Sequence, residues 1–499
     1  MSLGIALPST LAFTYETLGR LVHYLIERLA DGVPAEKSRS MLSSAAPLTD
    51  WVPQLYNQRE CYLWHEAAAN KACLHIPQCV YIHSPVESRR LERALQALVE
   101  RHMALRTVYM RQGGDLLQRT LPAQRVDFAA VVLEEQPWSS VVEAILADAR
   151  APFDLMQGPV LRGRLYSRTD DDHLFLLVVH HIAADATALS VLVGELWKIY
   201  GALGEGGEPV LPAIRADWAD FVRWQDALLQ GAEGERLWRY WQHQLRGELP
   251  QLALPTDLPR PVQDSHAGRP YVFALEEKLT ESLRQLAQRE NCTLYMVLMA
   301  GFQLWLHGYT LQRDLLVAAH VANRNDLMFA DVVGYLADTF PIRAQIPAGA
   351  TFQSVLHQVQ QTILAAMEHQ GLPMRLLAER LGVAVEPSQT VLCQVWFTLL
   401  PLRLFQENGE LFQVGAGSIE RGGLVLEAAD LLPAWLGAWY DLEMILTEGE
   451  SVVFGTLVYK TDLFVESTVR QMIAEYCALL ERIVAEPGRA VAELAVVAV

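Results

Sequence analysis

Two adjacent histidines followed four residues later by an acid are the sharpest chemical feature of the chain. VVHHIAADATALS at 178–190 places His180, His181 and Asp185 at and beyond the end of an apolar run. Imidazole titrates near neutrality and can take up, release or share a proton with an attacking amine or hydroxyl. If the run is a strand, alternation sends the two histidines to opposite faces, so that one enters a cavity while the other packs. The same residues also suit a pair of core histidines with Asp185 capping the next helix. A metal centre would need a third ligand that the sequence does not place, so none is expected, and no GxSxG turn offers a serine nucleophile. Cys61, Cys73, Cys79, Cys292, Cys393 and Cys477 include no CxxC pair. Buried, reduced thiols are expected instead of a zinc ribbon or a disulfide framework.

The elements that must carry these residues are legible around them. The apolar run 174–179 predicts a buried strand delivering the histidines, and 187–200 a helix leading away from them. Residues 91–102 form a further helical pattern, and the second half predicts helices over 277–289 and 294–307 and a strand over 314–320. Turn-rich stretches at 201–212 and 254–270 interrupt the order, so the chain reads as α/β with two halves of similar size joined around 210–270. The uncharged stretch 291–312 is long enough for a bilayer span, yet it carries Asn291, Gln303, His307 and two glycines; a core helix is expected. The 499 residues carry 58 acidic against 40 basic side chains, a net charge of -18, and are 51% hydrophobic. That balance supports a large core and argues against a nucleic-acid or anionic-membrane partner. The first residues lack a basic segment ahead of an apolar run, so no secretory signal is read and a cytoplasmic location is expected. Residues 7–30 predict a short amphipathic helix carrying Leu18, Leu21, Leu25 and Leu29, with Thr17 as its cap. The polar Ser-, Ala- and Pro-rich stretch 31–46 has the composition of a linker, which puts a boundary near residue 47.

Further segments surround the histidines in a fixed order: RHMALRTVY (101–109), APFDLMQGPVLRGRLY (151–166), WADFVRWQ (218–225), LPTDLPRP (254–261), VVGYLADTFPIR (332–343), HQGLPM (369–374) and PSQTVLCQVWFTL (387–399). With HHxxxD, this ordered set resembles the condensation domain of nonribosomal peptide synthetases, a relative of chloramphenicol acetyltransferase, from about residue 47 to the end. The resemblance implies two chloramphenicol-acetyltransferase-like subdomains in a V with a central tunnel, 47–215 forming the first half and 216–499 the second. It implies an acyltransferase joining two carrier-tethered substrates. The phosphopantetheine arms of an upstream donor acyl carrier and a downstream aminoacyl or peptidyl carrier would enter from opposite ends, with no cofactor bound by the domain itself. By position His181 is the reacting histidine, either taking the amine's proton or orienting it. His180 is structural, and Asp185 forms a buried ion pair with Arg343, or alternatively with Arg101 or Arg106. Ala186, Asp338 and Trp396 are the tunnel candidates.

Some positions depart from the family pattern. Ala186 replaces a glycine, Asp338 stands where Asn is frequent, Met374 replaces Phe, and Asn323 replaces a glycine while Arg324 is kept. The family's epimerising and cyclising signatures are not seen, which favours ordinary condensation. The opening LGIALPSTLAFTYETLGRLVHYL resembles the last third of a polyketide acyl carrier protein, so 1–30 reads as a carrier fragment whose modified serine would lie upstream; a helix packed on the main domain is the other reading. Residues 293–317 and 332–335 resemble the hybrid subclass that accepts polyketide donors. The expected reaction is amide formation between a polyketide acyl thioester and an aminoacyl carrier. The alternatives are an ester-forming or chain-releasing acyltransferase with a free acceptor, and a catalytically idle carrier-docking module.

Overall fold

The computed structural model describes residues 47–133, 136–324, 326–383, 390–401, 408–413, 417–431 and 436–494. The carrier-like fragment 1–30, the linker 31–46 and residues 387–389 of one family-like segment lie outside these. Two six-stranded sheets dominate the chain. In the first, His75–Ile82, His173–His180, Leu161–Ser167 and Asp127–Val132 lie side by side. In the second the order is Asp338–Gln345, Asp314–Val321, Val395–Pro401, Leu442–Glu448, Val453–Lys460 and Gly268–Ala274. A small three-stranded sheet of Val52–Pro53, Asp115–Thr120 and Thr107–Gln112 flanks the first.

Two-residue periodicity accounts for the strand that carries the histidines. Phe175, Leu177 and Val179 enter one core with Leu95, Leu98, Leu192 and Leu196 from helices Ser88–Arg101 and Ala186–Gly204. Leu174, Leu176 and Val178 enter another with Val141 and Ile145 from helix Trp138–Arg150. Each such side chain contributes about 1.5–3 kcal/mol by leaving water, so both faces are clamped and the strand's end is fixed in space. His180 is its last residue, and the chain turns at His181–Ala183. In the second half, helix Leu294–Thr310 is surrounded by its own sheet and by helices Phe352–Glu368 and Glu466–Ala485, the core helix expected of its uncharged sequence. Among the described residues one helix, Ala186–Gly204, is long and apolar enough by composition to cross a bilayer, and more than half of it is buried in the protein.

Chain order and packing part company after residue 215. Trp218, Phe221 and Val222 of helix Trp218–Gln230, with Phe329, Val332 and Leu336, are buried in the first half's core. Strands Ser418–Arg421 and Leu424–Ala428 cross over and extend the first sheet, Leu426 opposite Ile82 and Ala428 opposite Val80. The crossing hairpin lies so close to helix Ala186–Gly204 that a Cβ on Gly201 would come within 2.8 Å of Gly422 Cα.

Candidate active site

His180 and His181 divide as strand alternation and the ensuing turn require. His180 is buried, its Nδ1 accepting the Ile182 amide (3.1 Å) and its Nε2 facing His65 Nδ1 (3.1 Å). An acceptor Nδ1 makes Nε2 the protonated nitrogen, so His180 donates to His65. His75 packs edge-on against the same ring and gives Nδ1–H to the Ala149 carbonyl at 2.8 Å. Burial holds His65 and His75 down at about 4 and His180 well below its usual range, so this group is neutral and structural.

His181 faces the other way, into a cavity between the two sheets that encloses about 930 Å³ of space, part of it open to solvent. Its ring is wedged between Tyr335 (centroids 4.4 Å, edge-on) and Trp439 (4.8 Å, tilted). Nδ1 is buried and meets no hydrogen-bonding group of another described residue. Burial brings the imidazole down to about 4, against the opposing pull of Asp185. The loop is held from below: the Ile182 carbonyl accepts from Gln58 Nε2 (3.2 Å) and from the Tyr109 hydroxyl (3.3 Å).

Asp185 caps helix Ala186–Gly204, accepting the Ala188 amide at 2.9 Å. It does not pair with Arg343, Arg101 or Arg106. Its partner is Arg324, whose Nη1 and Nη2 reach the two carboxylate oxygens at 2.8 and 3.0 Å, while the Leu336 and Ala337 amides add bonds of 3.0 and 2.9 Å. Burial opposes the charge, but Arg324 and these amides hold the carboxyl below its usual range. The displaced candidates have other work. Arg343 lies five residues after Asp338 along one strand and therefore on its opposite face, where it binds Asp314 (2.9 and 2.7 Å) and main-chain carbonyls. Arg101 pairs with Glu195 at 2.9 Å, ten residues along the helix from Asp185 and so about 15 Å away. Arg106 binds the Leu121 carbonyl. Neither Arg343 nor Arg101 therefore supports the histidine turn.

The three tunnel candidates do meet His181: Ala186, Asp338 and Trp396 all line its cavity. Trp396 stacks on Tyr440 (6.5 Å, 14°) and meets the edge of His320 (5.8 Å). The residues not foreseen from sequence are His320, Tyr335, Trp439, Glu60 and Glu443. His320 had a signal, since it closes the apolar strand LLVAAHV much as the paired histidines close FLLVVHH. Burial holds it at about 4. Glu443 had one too, as an acid set between the apolar Leu442 and Met444 of strand Leu442–Glu448. Its Oε1 accepts the Trp439 and Tyr440 amides at 2.5 and 3.0 Å, and burial raises it to about 7. Asp338, which accepts the Thr339 amide, is raised by burial to about 7 as well.

Two sheets thus meet over a turn that presents one histidine to the cavity between them. Residues 50–498 match the Condensation domain family, and the chain belongs to it. Condensation domains of nonribosomal peptide synthetases are acyltransferases that form amide bonds. Tyrocidine synthase 2 of Brevibacillus parabrevis is 32% identical over 437 residues, covering 88% of this chain and 12% of that protein. Tyrocidine synthase 3 of the same organism is 30% identical over 491 residues, 98% of this chain and 7% of that protein. The chain thus spans only a small share of these relatives. Among solved structures, the X-domain from teicoplanin biosynthesis superposes with a TM-score of 0.80 at 22% identity, over 91% of this chain and 99% of that one. The condensation domain from Monacolin K polyketide synthase MokA gives 0.75 at 17%, over 89% and 100%. These likenesses establish the fold.

Proposed function

We propose that this domain joins a carrier-bound acyl thioester, polyketide in origin, to the amine of an aminoacyl carrier through an amide bond. The observation that carries this reading is His181: a neutral imidazole whose ring makes no hydrogen bond to another described residue, held by two aromatic rings at a cavity between two lobes. A phosphopantetheine-borne thioester and an amine meeting there would find a group that can hydrogen-bond the nucleophile and hold it against the carbonyl. An imidazole held at about 4 is a weak base at neutral pH, which favours orientation over full deprotonation. Asp185 and Arg324 touch no substrate in this scheme; they fix the turn from which His181 projects. The polyketide donor rests on the resemblance of 1–30 to a carrier tail and of 293–317 and 332–335 to the hybrid subclass, and on that reading the domain follows a polyketide module.

The test is intact-mass detection of product from the whole chain with a panel of donors, polyketide-like acyl carriers against peptidyl carriers. Each donor is offered an aminoacyl carrier, a free amino acid or a free alcohol. Amide on the aminoacyl carrier, fastest from polyketide-like donors, is the expected result. Product only with free acceptors would replace this reading with a chain-releasing one, and carrier binding with no product from any pair would leave a docking module.

A further inference from the structure

Three carboxyls converge on the His181 cavity from three separate elements: Glu60 from helix Tyr56–Ala67, Asp338 from the start of strand Asp338–Gln345, and Glu443 from strand Leu442–Glu448. No Lys or Arg is among the described residues lining it. The nearby cations act on the wall only from a distance, Arg375 on Glu60 and Lys460 on Glu443, and make their ion pairs elsewhere: Lys460 with Asp264 and Asp441, and Arg375 with Glu379 at 3.2 Å. Asp185, also at the cavity wall, is already matched by Arg324. Glu443 is 5% exposed; its Oε1 takes both main-chain amides, and its Oε2 has no hydrogen-bond partner among the described residues. Burying a carboxylate without a cation costs several kcal/mol, so this wall does not exist for stability.

The rest of the lining suits a cation. Trp64, Tyr335, Trp439 and Tyr440 line the same cavity as the acids, and aromatic rings attract positive charge through their quadrupoles. Independently of the acids, His181 lines this same cavity, is 7% exposed, and its ring makes no hydrogen bond to another described residue. Glu443 and His181 are also linked through one residue, because Trp439 packs on the imidazole and donates its amide to Glu443.

We propose that the cavity binds the acceptor's amine as its ammonium ion, with Glu443 as the principal counter-ion, Asp338 and Glu60 completing a negative wall, and Glu443 taking the proton that the ammonium must lose before it attacks. The inference rests on the amide-forming reading above. In the step, R–NH3⁺ and the Glu443 carboxylate become R–NH2 and a carboxylic acid. The freed lone pair forms the N–C bond to the thioester carbonyl and the C–S bond breaks. The second nitrogen proton ends on the departing sulfur, and the Glu443 proton returns to solvent. A carboxyl raised to about 7 is matched to that exchange near neutral pH, whereas His181 at about 4 is not.

The experiment uses the whole 499-residue chain and an unreactive acceptor mimic, an aminoacyl pantetheine with the thioester sulfur replaced by NH. Its isostere with methyl in place of the amine is the control. Calorimetry at pH 7.5 should show the amine binding about 10-fold or more tighter than the methyl compound, the worth of a charge-assisted hydrogen bond. Glu443→Gln keeps a carbonyl acceptor for the Trp439 and Tyr440 amides and should erase most of that preference; Asp338→Asn is the second variant, should the first not fold. In turnover with carrier-bound substrates, Glu443→Gln should raise the acceptor KM by about the same factor. No preference in the wild type, or an unchanged preference and KM in a folded Glu443→Gln, overturns the inference while leaving amide formation standing. A clear preference for the amine without product from any donor overturns the amide-forming reading and leaves the ammonium site.

Discussion

At the residue scale the site is a set of groups kept in charge states that water would not choose. Burial keeps His181 and His320 neutral at about 4 and pushes Asp338 and Glu443 up to about 7. Asp185, 2% exposed, is held ionised by Arg324 and main-chain amides. The Asp338 value has a thermodynamic consequence. In the fold this carboxyl keeps its proton up to about 7, whereas in the unfolded chain it releases it near 3.8. Its contribution is therefore fully present below about pH 4 and is lost as pH rises through 7. Asp338→Asn escapes that loss: it is expected to stabilise the protein at pH 8 by on the order of a few kcal/mol and to do little at pH 4. Thermal melts of both proteins across that range check the sign, and a variant less stable at pH 8 than the wild type would contradict it. The histidine pair was readable in the sequence because a two-residue period decides which ring packs and which is presented. The partner of Asp185 was not: Arg324 is 139 residues away and is brought in by the meeting of two lobes, which no local spacing encodes. Arg343 misled for a similar reason, since the face it occupies depends on which side of its strand meets the cavity.

At the element scale, each lobe places its contribution by ending an apolar strand at the cleft. His173–His180 stops at the histidine turn, Asp314–Val321 presents His320, and Leu442–Glu448 begins beside Trp439 and Tyr440. The first two of these strands were legible from hydrophobic runs, and helices 277–289 and 294–307 from their apolar patterns, because burial of regular faces dictates both; Leu442–Glu448 was not read from the sequence. The crossing hairpin was not legible, since Ser418–Arg421 and Leu424–Ala428 carry an ordinary alternating pattern that does not say which sheet they join. Their seat depends on small residues: Gly422 has φ 57°, and a Cβ there would lie 2.4 Å from the Trp197 carbonyl. Gly422→Ala is therefore expected to cost about 1–3 kcal/mol by overpacking and to speed hydrogen exchange in 418–428 and at its partner strand His75–Ile82. Unchanged protection in both strands would mean that the hairpin is not seated by this contact.

On the scale of the whole molecule, the ties between the lobes are the ties that build the site. Asn57 Nδ2 donates to the Tyr335 and Ala337 carbonyls, Asp185 accepts the Leu336 and Ala337 amides, and Arg324 binds both Asp185 and the Val332 carbonyl. Tyr335, the ring against His181, therefore sits in a segment fastened from both sides. Arg324→Met leaves the Asp185 carboxylate buried and unpaired, which costs about 3–5 kcal/mol. It should lower the urea midpoint and acyl transfer together, and a midpoint equal to wild type would show that the pair does not hold the lobes. The central claim, that His181 serves acyl transfer at this cavity, is tested most directly by single-turnover product formation from carrier-bound donor and acceptor thioesters with His181→Ala. The His181 ring packs on Tyr335 and Trp439 but makes no hydrogen bond to another described residue. The variant should therefore keep the wild-type circular dichroism spectrum while amide formation falls by about 100-fold or more. Amide produced at the wild-type rate by a folded His181→Ala would contradict the account.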